Sequence, residues 1–167
     1  EWEELESAVQ LTLDQGASDV VLMGHSFGGG VIASFLYRSA LRHRVAGVIL
    51  DSPMLDLGAV TDFGAKKKGL PIFVTGLAKW IAGWRFDIDW GALNYLDRAD
   101  ELSAPILLLH GDADESIPIS VSERLARMRP DIVTLVKFIG SPHVSGWNSC
   151  RETYESEVRK FLRWVAK

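Results

Sequence analysis

The chain has 167 residues, of which 47% are hydrophobic and 24% are charged, and its formal net charge is −4. This size and composition predict one soluble globular domain over residues 1–167, with a core of its own. The acidic balance argues against a nucleic-acid partner and a polybasic membrane surface, and no apolar stretch is long enough to span a bilayer.

The cysteine count, the basic residues and the start of the chain bear on the kind of site and on the compartment. Cys150 is the only cysteine, so an intrachain disulfide and a cysteine-built metal site are excluded. The run Lys66-Lys67-Lys68 is the only basic cluster, and we interpret it as the solvated end of a helix. No signal peptide opens the chain, which predicts a cytoplasmic protein, although a start at Glu1 leaves the natural N-terminus open.

Hydrophobic periodicity predicts alternating helices and strands in the first part of the chain. Apolar residues at a helical period over Glu1–Gln15 predict an amphipathic helix. Asp19–Gly24 is apolar on both faces, which is typical of a buried parallel strand. After a glycine-rich break, a helix is expected over residues 27–44, and Val45–Leu50 forms a second buried strand.

Residues 54–103 are less regular, and we interpret them as a lid-like helical insertion within the domain. A helix over 58–68 is followed by a second helix with an apolar stripe made of Phe73, Leu77, Trp80, Ile81 and Trp84. The stripe has two interpretations. The preferred one is ordinary packing of these helices onto a sheet. The other is an apolar substrate pocket that includes Trp80 and Trp84.

Regular alternation returns in the last part of the chain. Pro105–Gly111 is a third buried strand, Ile119–Arg129 is a helix, and Val133–Ile139 is a more polar strand expected near a sheet edge. Ser149 is expected to cap a final amphipathic helix. The pattern predicts an α/β fold with three α/β/α layers around a parallel sheet of about four strands.

The first strand ends in a G-x-S-x-G motif, Gly24-His25-Ser26-Phe27-Gly28. A serine between two glycines is typical of a strained turn in which the strand and the following helix approach too closely for larger side chains. The helix that begins at Phe27 aims its free N–H groups at charge developing beside the hydroxyl. The motif therefore predicts a nucleophilic Ser26.

A serine hydroxyl needs a base to accept its proton and a third group to orient that base. The carboxyl ends of parallel strands share one crevice, so the partners are expected at strand ends. Asp114 follows the third strand and His143 follows the fourth, which gives the order Ser26, Asp114, His143 along the chain.

Three segments carry a resemblance to the α/β-hydrolase superfamily: GHSFGG, HGDADESIP and GSPH. The resemblance implies a carboxylesterase-like serine hydrolase that cleaves a small ester, thioester or amide through an acyl-enzyme. It makes Ser26 the nucleophile, His143 the general base and then acid, and Asp114 the residue that orients His143. It also makes the Phe27 N–H an oxyanion donor, and it implies no cofactor and no metal.

Other candidates stay open. Asp112 is interpreted as a turn residue bonded to its own loop, while Asp51 follows the second strand, where some family members carry their acid. His110 is interpreted as a packed, hydrogen-bonded histidine and His25 as a support of the turn. His43 is expected at a solvent-facing helix end.

The resemblance covers only the C-terminal part of the family's domain. Family members carry several strands before the elbow and an HG-type loop that supplies a second oxyanion donor, and neither precedes Ser26 here. A truncated α/β-hydrolase fold is therefore expected, with Val20–Leu22 on an open apolar edge that favours a homo-oligomer or binding of the missing half. The alternative functions are a catalytically silent fragment and a haloperoxidase or acyltransferase relative.

Overall fold

The computed structural model describes residues 1–166. Within them, four strands alternate with seven helices and two 3₁₀ segments. The strands are β1 (Val20–His25), β2 (Val45–Asp51), β3 (Ile106–Gly111) and β4 (Val133–Phe138). The helices are α1 (Trp2–Asp14), α2 (Phe27–Arg38), α3 (Leu57–Lys67), α4 (Ile72–Phe86), α5 (Ser120–Met128), α6 (Gly146–Ser149) and α7 (Arg151–Val165). The 3₁₀ segments are Ala40–Arg44 and Tyr95–Glu101.

The four strands form one parallel sheet in the order β1-β2-β3-β4. His25 pairs with Asp51 at the carboxyl end of one strand pair, and Gly111 pairs with Phe138 at the same end of another. The polar residues that follow β1, β2, β3 and β4 therefore share one edge of the sheet. The predicted α/β class and the predicted place of β4 at a sheet edge are confirmed.

Helices cover both faces of the sheet, because its strands carry apolar side chains above and below the plane. On one face, Leu22, Leu50 and Leu108 join a core with α1, α2 and α5. On the other face, the strands pack against α7, and this smaller core contains Ile49, Leu107, Leu109, Phe138, Tyr154 and Phe161. These are the three predicted α/β/α layers.

Strand β1 is less buried than the sequence predicts. Val21 is 37% exposed and Met23 is 47% exposed, although both belong to a run that is apolar on both faces. The reason is position: β1 ends the sheet and pairs with β2, while α7 packs over β2 and β3. One face of β1 is therefore open.

Two predicted helix ends are wrong. The helix after the elbow ends at Arg38, because Ser39 adopts an extended conformation and its Oγ accepts the Leu41 N–H at 2.9 Å, which starts the 3₁₀ segment. Ser149 does not cap the last helix. It ends α6, and its hydroxyl lies 3.1 Å from the Ser141 hydroxyl, while Cys150 precedes α7.

The preferred interpretation of the apolar stripe on α4 is wrong. Its side chains face solvent, with Trp80 68% exposed and Trp84 78% exposed, because α4 packs on α3 and turns the stripe away from that contact. An ion pair of 2.7 Å between Lys79 Nζ and Asp62 Oδ2 joins the two helices. The run of residues 66–68 is exposed at the end of α3, as predicted.

Within residues 1–166, no helix combines the length and the apolar character that a membrane crossing requires.

Candidate active site

Ser26 lies in the sharp turn between β1 and α2, in a conformation that is costly for a residue with a Cβ. Its φ is 51° and its ψ is −119°, and strain of this kind costs about 1–3 kcal/mol. Three backbone hydrogen bonds hold the turn: the Ser26 N–H donates to Asp51 O at 2.9 Å, and Ser26 O accepts from Gly29 at 3.0 Å and Met54 at 2.9 Å. The neighbouring loop thus fixes the serine.

The close approach predicted at the turn falls on a different pair of glycines. A Cβ on Gly24 would lie 2.9 Å from the backbone of Gly28, and a Cβ on Gly29 would lie 2.5 Å from Pro53 Cβ. A Cβ on Gly28 would meet nothing within 4 Å. The steric need for glycine therefore applies to Gly24 and Gly29, and the prediction for Gly28 is wrong.

The structure brings Ser26, His143 and Asp114 together from three strand ends. His143 Nε2 lies 3.0 Å from Ser26 Oγ, and His143 Nδ1 lies 2.7 Å from Asp114 Oδ2. The imidazole is partly buried, with 26% of its side chain exposed. A carboxylate only accepts hydrogen bonds, so Nδ1 carries the proton and Nε2 is free to accept one from the serine.

The carboxylate of Asp114 is fully enclosed, and four N–H groups surround it. Oδ1 accepts the backbone N–H groups of Ser116 at 2.8 Å and Ile117 at 2.9 Å. Oδ2 faces the rings of His143 and His110 at 2.7 and 3.2 Å. Burial by itself raises the pKa of Asp114, but these hydrogen bonds outweigh it and hold that pKa well below its usual range, so the carboxylate is ionised.

The loop that carries His143 is tied to two neighbouring loops. The Val144 N–H donates to Ser52 Oγ at 3.3 Å, and both residues have positive φ, 50° at Val144 and 47° at Ser52. The Gly140 N–H donates to Asp112 Oδ1 at 2.6 Å. Asp112 therefore joins the loops after β3 and β4, rather than bonding within its own loop as predicted.

Asp51, the alternative acid, belongs to a separate cluster. Its Oδ2 accepts the Tyr154 hydroxyl at 3.0 Å and lies 3.9 Å from His25 Nδ1. Burial raises the pKa of Asp51, in the opposite direction to Asp114. His25 is half-exposed beside the serine. The arrangement holds Asp51 against α7, while Asp114 holds His143.

The two remaining histidines are placed as the sequence predicts. His43 lies exposed in the 3₁₀ segment, where its Nδ1 donates to Ala40 O at 2.8 Å. His110 is completely buried and hydrogen-bonded at both ring nitrogens.

Phe27 directly follows Ser26 at the start of α2, whereas the two tryptophans of the predicted pocket lie on α4. Phe27 is the first residue of α2, so its N–H is one of the donors that lack a partner inside the helix. Trp80 and Trp84 lie on the exposed side of α4. A cavity of about 450 Å³ lies between α3 and α4. Its lining consists of Asp62, Phe63, Lys66, Leu70, Ile72 and Thr75. Assignment of the tryptophans to a substrate pocket stays a prediction.

Residues 1–166 contain no group of three or more His, Cys, Asp or Glu side chains that could hold a metal ion.

Sequence reasoning missed Ser52 and Ser122 as partners of the site. Ser52 directly follows β2 at the same sheet edge as the other site residues, so its position was a usable signal. Ser122 lies on α5, where its hydroxyl is 2.8 Å from His110 Nδ1. Nothing in the local pattern marks that contact, because it depends on how α5 packs against β3.

Comparison with known proteins identifies the class. The profile described as the Alpha/beta hydrolase family matches residues 1–155, and the chain belongs to that family. Comparison with curated proteins gives no match.

Solved structures share this fold at low sequence identity. An esterase of Pyrococcus furiosus, Pf2001, is 21% identical, with a TM-score of 0.71 over 99% of this chain and 62% of its own. A monoacylglycerol lipase of Paleococcus ferrophilus is 20% identical, with a TM-score of 0.62 over 98% of this chain and 74% of its own. An esterase of a Rhodococcus species is 20% identical, with a TM-score of 0.61 over 93% of this chain and 69% of its own. The chain thus spans less than two thirds of the Pyrococcus esterase.

Proposed function

We propose that the chain is the part of a serine hydrolase that carries Ser26 as nucleophile, His143 as general base and acid, and Asp114 as the residue that orients His143. The observation that carries the proposal is the continuous pair of contacts, 3.0 Å from Ser26 Oγ to His143 Nε2 and 2.7 Å from His143 Nδ1 to Asp114 Oδ2. The hydroxyl, the base and the orienting carboxylate are all within hydrogen-bond reach.

The reaction follows from these contacts. As Ser26 Oγ attacks an acyl carbon, His143 Nε2 takes its proton, and the carbonyl oxygen becomes an oxyanion near the Phe27 N–H. His143 then gives the proton to the leaving oxygen, sulfur or nitrogen, which leaves an acyl-serine. Water attacks this ester with His143 again acting as base, and Ser26 is released. Asp114 stabilises the imidazolium in both steps.

The substrate class proposed is a small acyl compound, an ester, thioester or amide, with carboxylesterase-like cleavage as the preferred reaction. Family relatives of similar fold include proteins described as esterases and a monoacylglycerol lipase, which supports an ester. A serine at the elbow argues against halide or epoxide chemistry that needs an aspartate there.

A lid role is proposed for residues 54–103. The α3–α4 pair is anchored beside the acid loop, because Lys67 Nζ forms a 2.8 Å ion pair with Glu115 Oε2, next to Asp114. The exposed apolar stripe of α4 gives this insertion a surface suited to apolar acyl groups.

A fluorophosphonate probe tests the nucleophile. We expect one covalent adduct on the folded wild-type chain, mapped by mass spectrometry to Ser26, and none on Ser26→Ala. Ser156→Ala is the matched control, since Ser156 is an exposed serine on α7 and should label like wild type. Absence of labelling in folded wild-type protein contradicts the proposal and favours the catalytically silent alternative.

Self-association through β1 is a second proposal, because this strand ends the sheet and exposes Val21 and Met23. An apolar edge strand offers unpaired N–H and C=O groups to another chain. A second copy of this chain is the proposed partner, and two β1 strands side by side would bury both edges.

A further inference from the structure

His110 is a completely buried histidine for which the proposed reaction has no use. It precedes the last residue of β3, and its Nε2 lies 3.2 Å from both Asp114 Oδ2 and Ile117 O. Its Nδ1 lies 2.8 Å from Ser122 Oγ. Ile117 O and the ionised Asp114 oxygen only accept hydrogen bonds, so Nε2 carries a proton that faces both of them, and Nδ1 is left to pair with the Ser122 hydroxyl.

One carboxylate oxygen therefore serves two imidazole rings. Asp114 Oδ2 accepts from His143 Nδ1 at 2.7 Å and lies 3.2 Å from His110 Nε2, whose N–H also faces Ile117 O. A hydrogen bond to a carboxylate stabilises its negative charge, and charge stabilised by one donor attracts the second donor less strongly. Burial raises the pKa of Asp114, and the N–H groups of His110, Ile117, His143 and Ser116 around the carboxylate lower it. The two rings are thus coupled through Asp114.

We propose that His110 is a positioning residue that sets the pH at which His143 can act as a base. Its Nε2–H, 3.2 Å from Asp114 Oδ2, stabilises the negative charge of that oxygen and so weakens the hold of the carboxylate on the Nδ1 proton of His143. The order of contacts is Ser122, His110, Asp114, His143, Ser26. His110 acts on the reaction through Asp114. The inference rests on the proposed function, because it assigns a role relative to His143.

Two substitutions at position 110 separate this role from simple packing. His110→Leu fills space but removes the N–H, so Asp114 holds the His143 proton more strongly. His110→Gln keeps an amide N–H that can reach Asp114 and an amide oxygen that can accept from Ser122, without a ring that can titrate. His43→Gln is the matched control, because His43 lies exposed before β2, at the end of the sheet opposite to the site.

The first measurement is the rate of fluorophosphonate labelling as a function of pH. For His110→Leu we expect the midpoint of the acid limb to move to higher pH and the plateau to fall, by up to about 10²-fold for a displaced catalytic group. His110→Gln and His43→Gln should keep the wild-type midpoint. An unchanged midpoint in folded His110→Leu, or a shifted midpoint in folded His110→Gln, overturns the proposal.

The second measurement needs neither catalysis nor a variant at position 110. Imidazole ¹⁵N spectra of the wild-type chain should show His110 as the Nε2–H tautomer at neutral pH, with His43→Gln assigning the exposed ring. The Nδ1–H tautomer at His110 overturns the proposal even if the leucine variant fails to fold. If wild-type protein is never labelled, the proposed function fails. The ¹⁵N spectra still decide whether His110 Nε2 carries the proton that faces Asp114.

Discussion

Replacing Asp114 by asparagine changes one atom of the site and should nearly abolish its chemistry. Four N–H groups surround the carboxylate, two from the backbone of Ser116 and Ile117 and two from the rings of His110 and His143. An asparagine has one acceptor oxygen, so its NH₂ group must face one of these pairs. The backbone donors are fixed, whereas imidazoles can change tautomer, so we expect the NH₂ group to face the rings.

This orientation of the amide reverses the tautomer of His143. With an amide N–H pointing at it, His143 Nδ1 becomes an acceptor, and the proton moves to Nε2, where it faces Ser26 Oγ. The hydroxyl then has no acceptor for its proton. For a triad with the wrong tautomer the loss in kcat is about 10⁴-fold, equivalent to about 5.4 kcal/mol of transition-state stabilisation.

The measurement is the rate of ester hydrolysis or of phosphonate labelling by Asp114→Asn at neutral pH, with folding checked by circular dichroism. Asp112→Asn is the matched control, because the amide oxygen of Asn can still accept the Gly140 N–H that Asp112 Oδ1 accepts at 2.6 Å. It should stay within a few-fold of wild type. A folded Asp114→Asn protein that retains a tenth of the wild-type rate refutes the reasoning.

Three further predictions concern stability and assembly. Gly24→Ala should lower the free energy of unfolding in urea by about 1–3 kcal/mol through overpacking, because the added Cβ would lie 2.9 Å from the backbone of Gly28. Gly28→Ala should leave the free energy of unfolding unchanged, because its added Cβ would meet nothing within 4 Å. Met23→Lys should shift the self-associated chain toward monomer in light scattering; a wild-type monomer at all concentrations contradicts the edge proposal. Because the pKa of Asp114 is lowered in the folded state, its ionised carboxylate stabilises the fold at any pH above its unfolded pKa of about 3.9. This contribution to the free energy of unfolding is lost as the pH falls below that value. Acid unfolding of Asp114→Asn should therefore show a weaker dependence on pH, and an unchanged dependence would contradict this.

The buried strands could be predicted from the sequence because parallel strands in a layered fold are apolar throughout. The run Pro105–Gly111 and the run Val45–Leu50 needed no knowledge of their neighbours to be placed in the sheet. The elbow was equally local, since its motif and the strand before it lie within ten residues. Ser26, Asp114 and His143 each follow a strand, and parallel strands bring their carboxyl ends to one edge. The preference for Asp114 over Asp112, which follows the same strand, depended on the resemblance to the α/β-hydrolase superfamily.

Tertiary structure decided the features that depend on which surface a residue meets. The stripe on α4 has the same helical spacing whether it faces the sheet or solvent, and only the packing of α4 on α3 turned it outward. Glycine is required at position 29 and not at position 28, because Pro53, from the loop after β2, occupies the space that a Cβ on Gly29 would need.

The contact of His110 with Asp114 marks the limit of what the sequence by itself determined. The sequence indicated a buried, hydrogen-bonded histidine from its place near the end of β3. Its partners depend on distances set by the turn after β3 and by α5, with Ser122 twelve residues away. Periodicity determines which residues are buried, whereas hydrogen-bond partners need directions and distances that only the packed chain supplies.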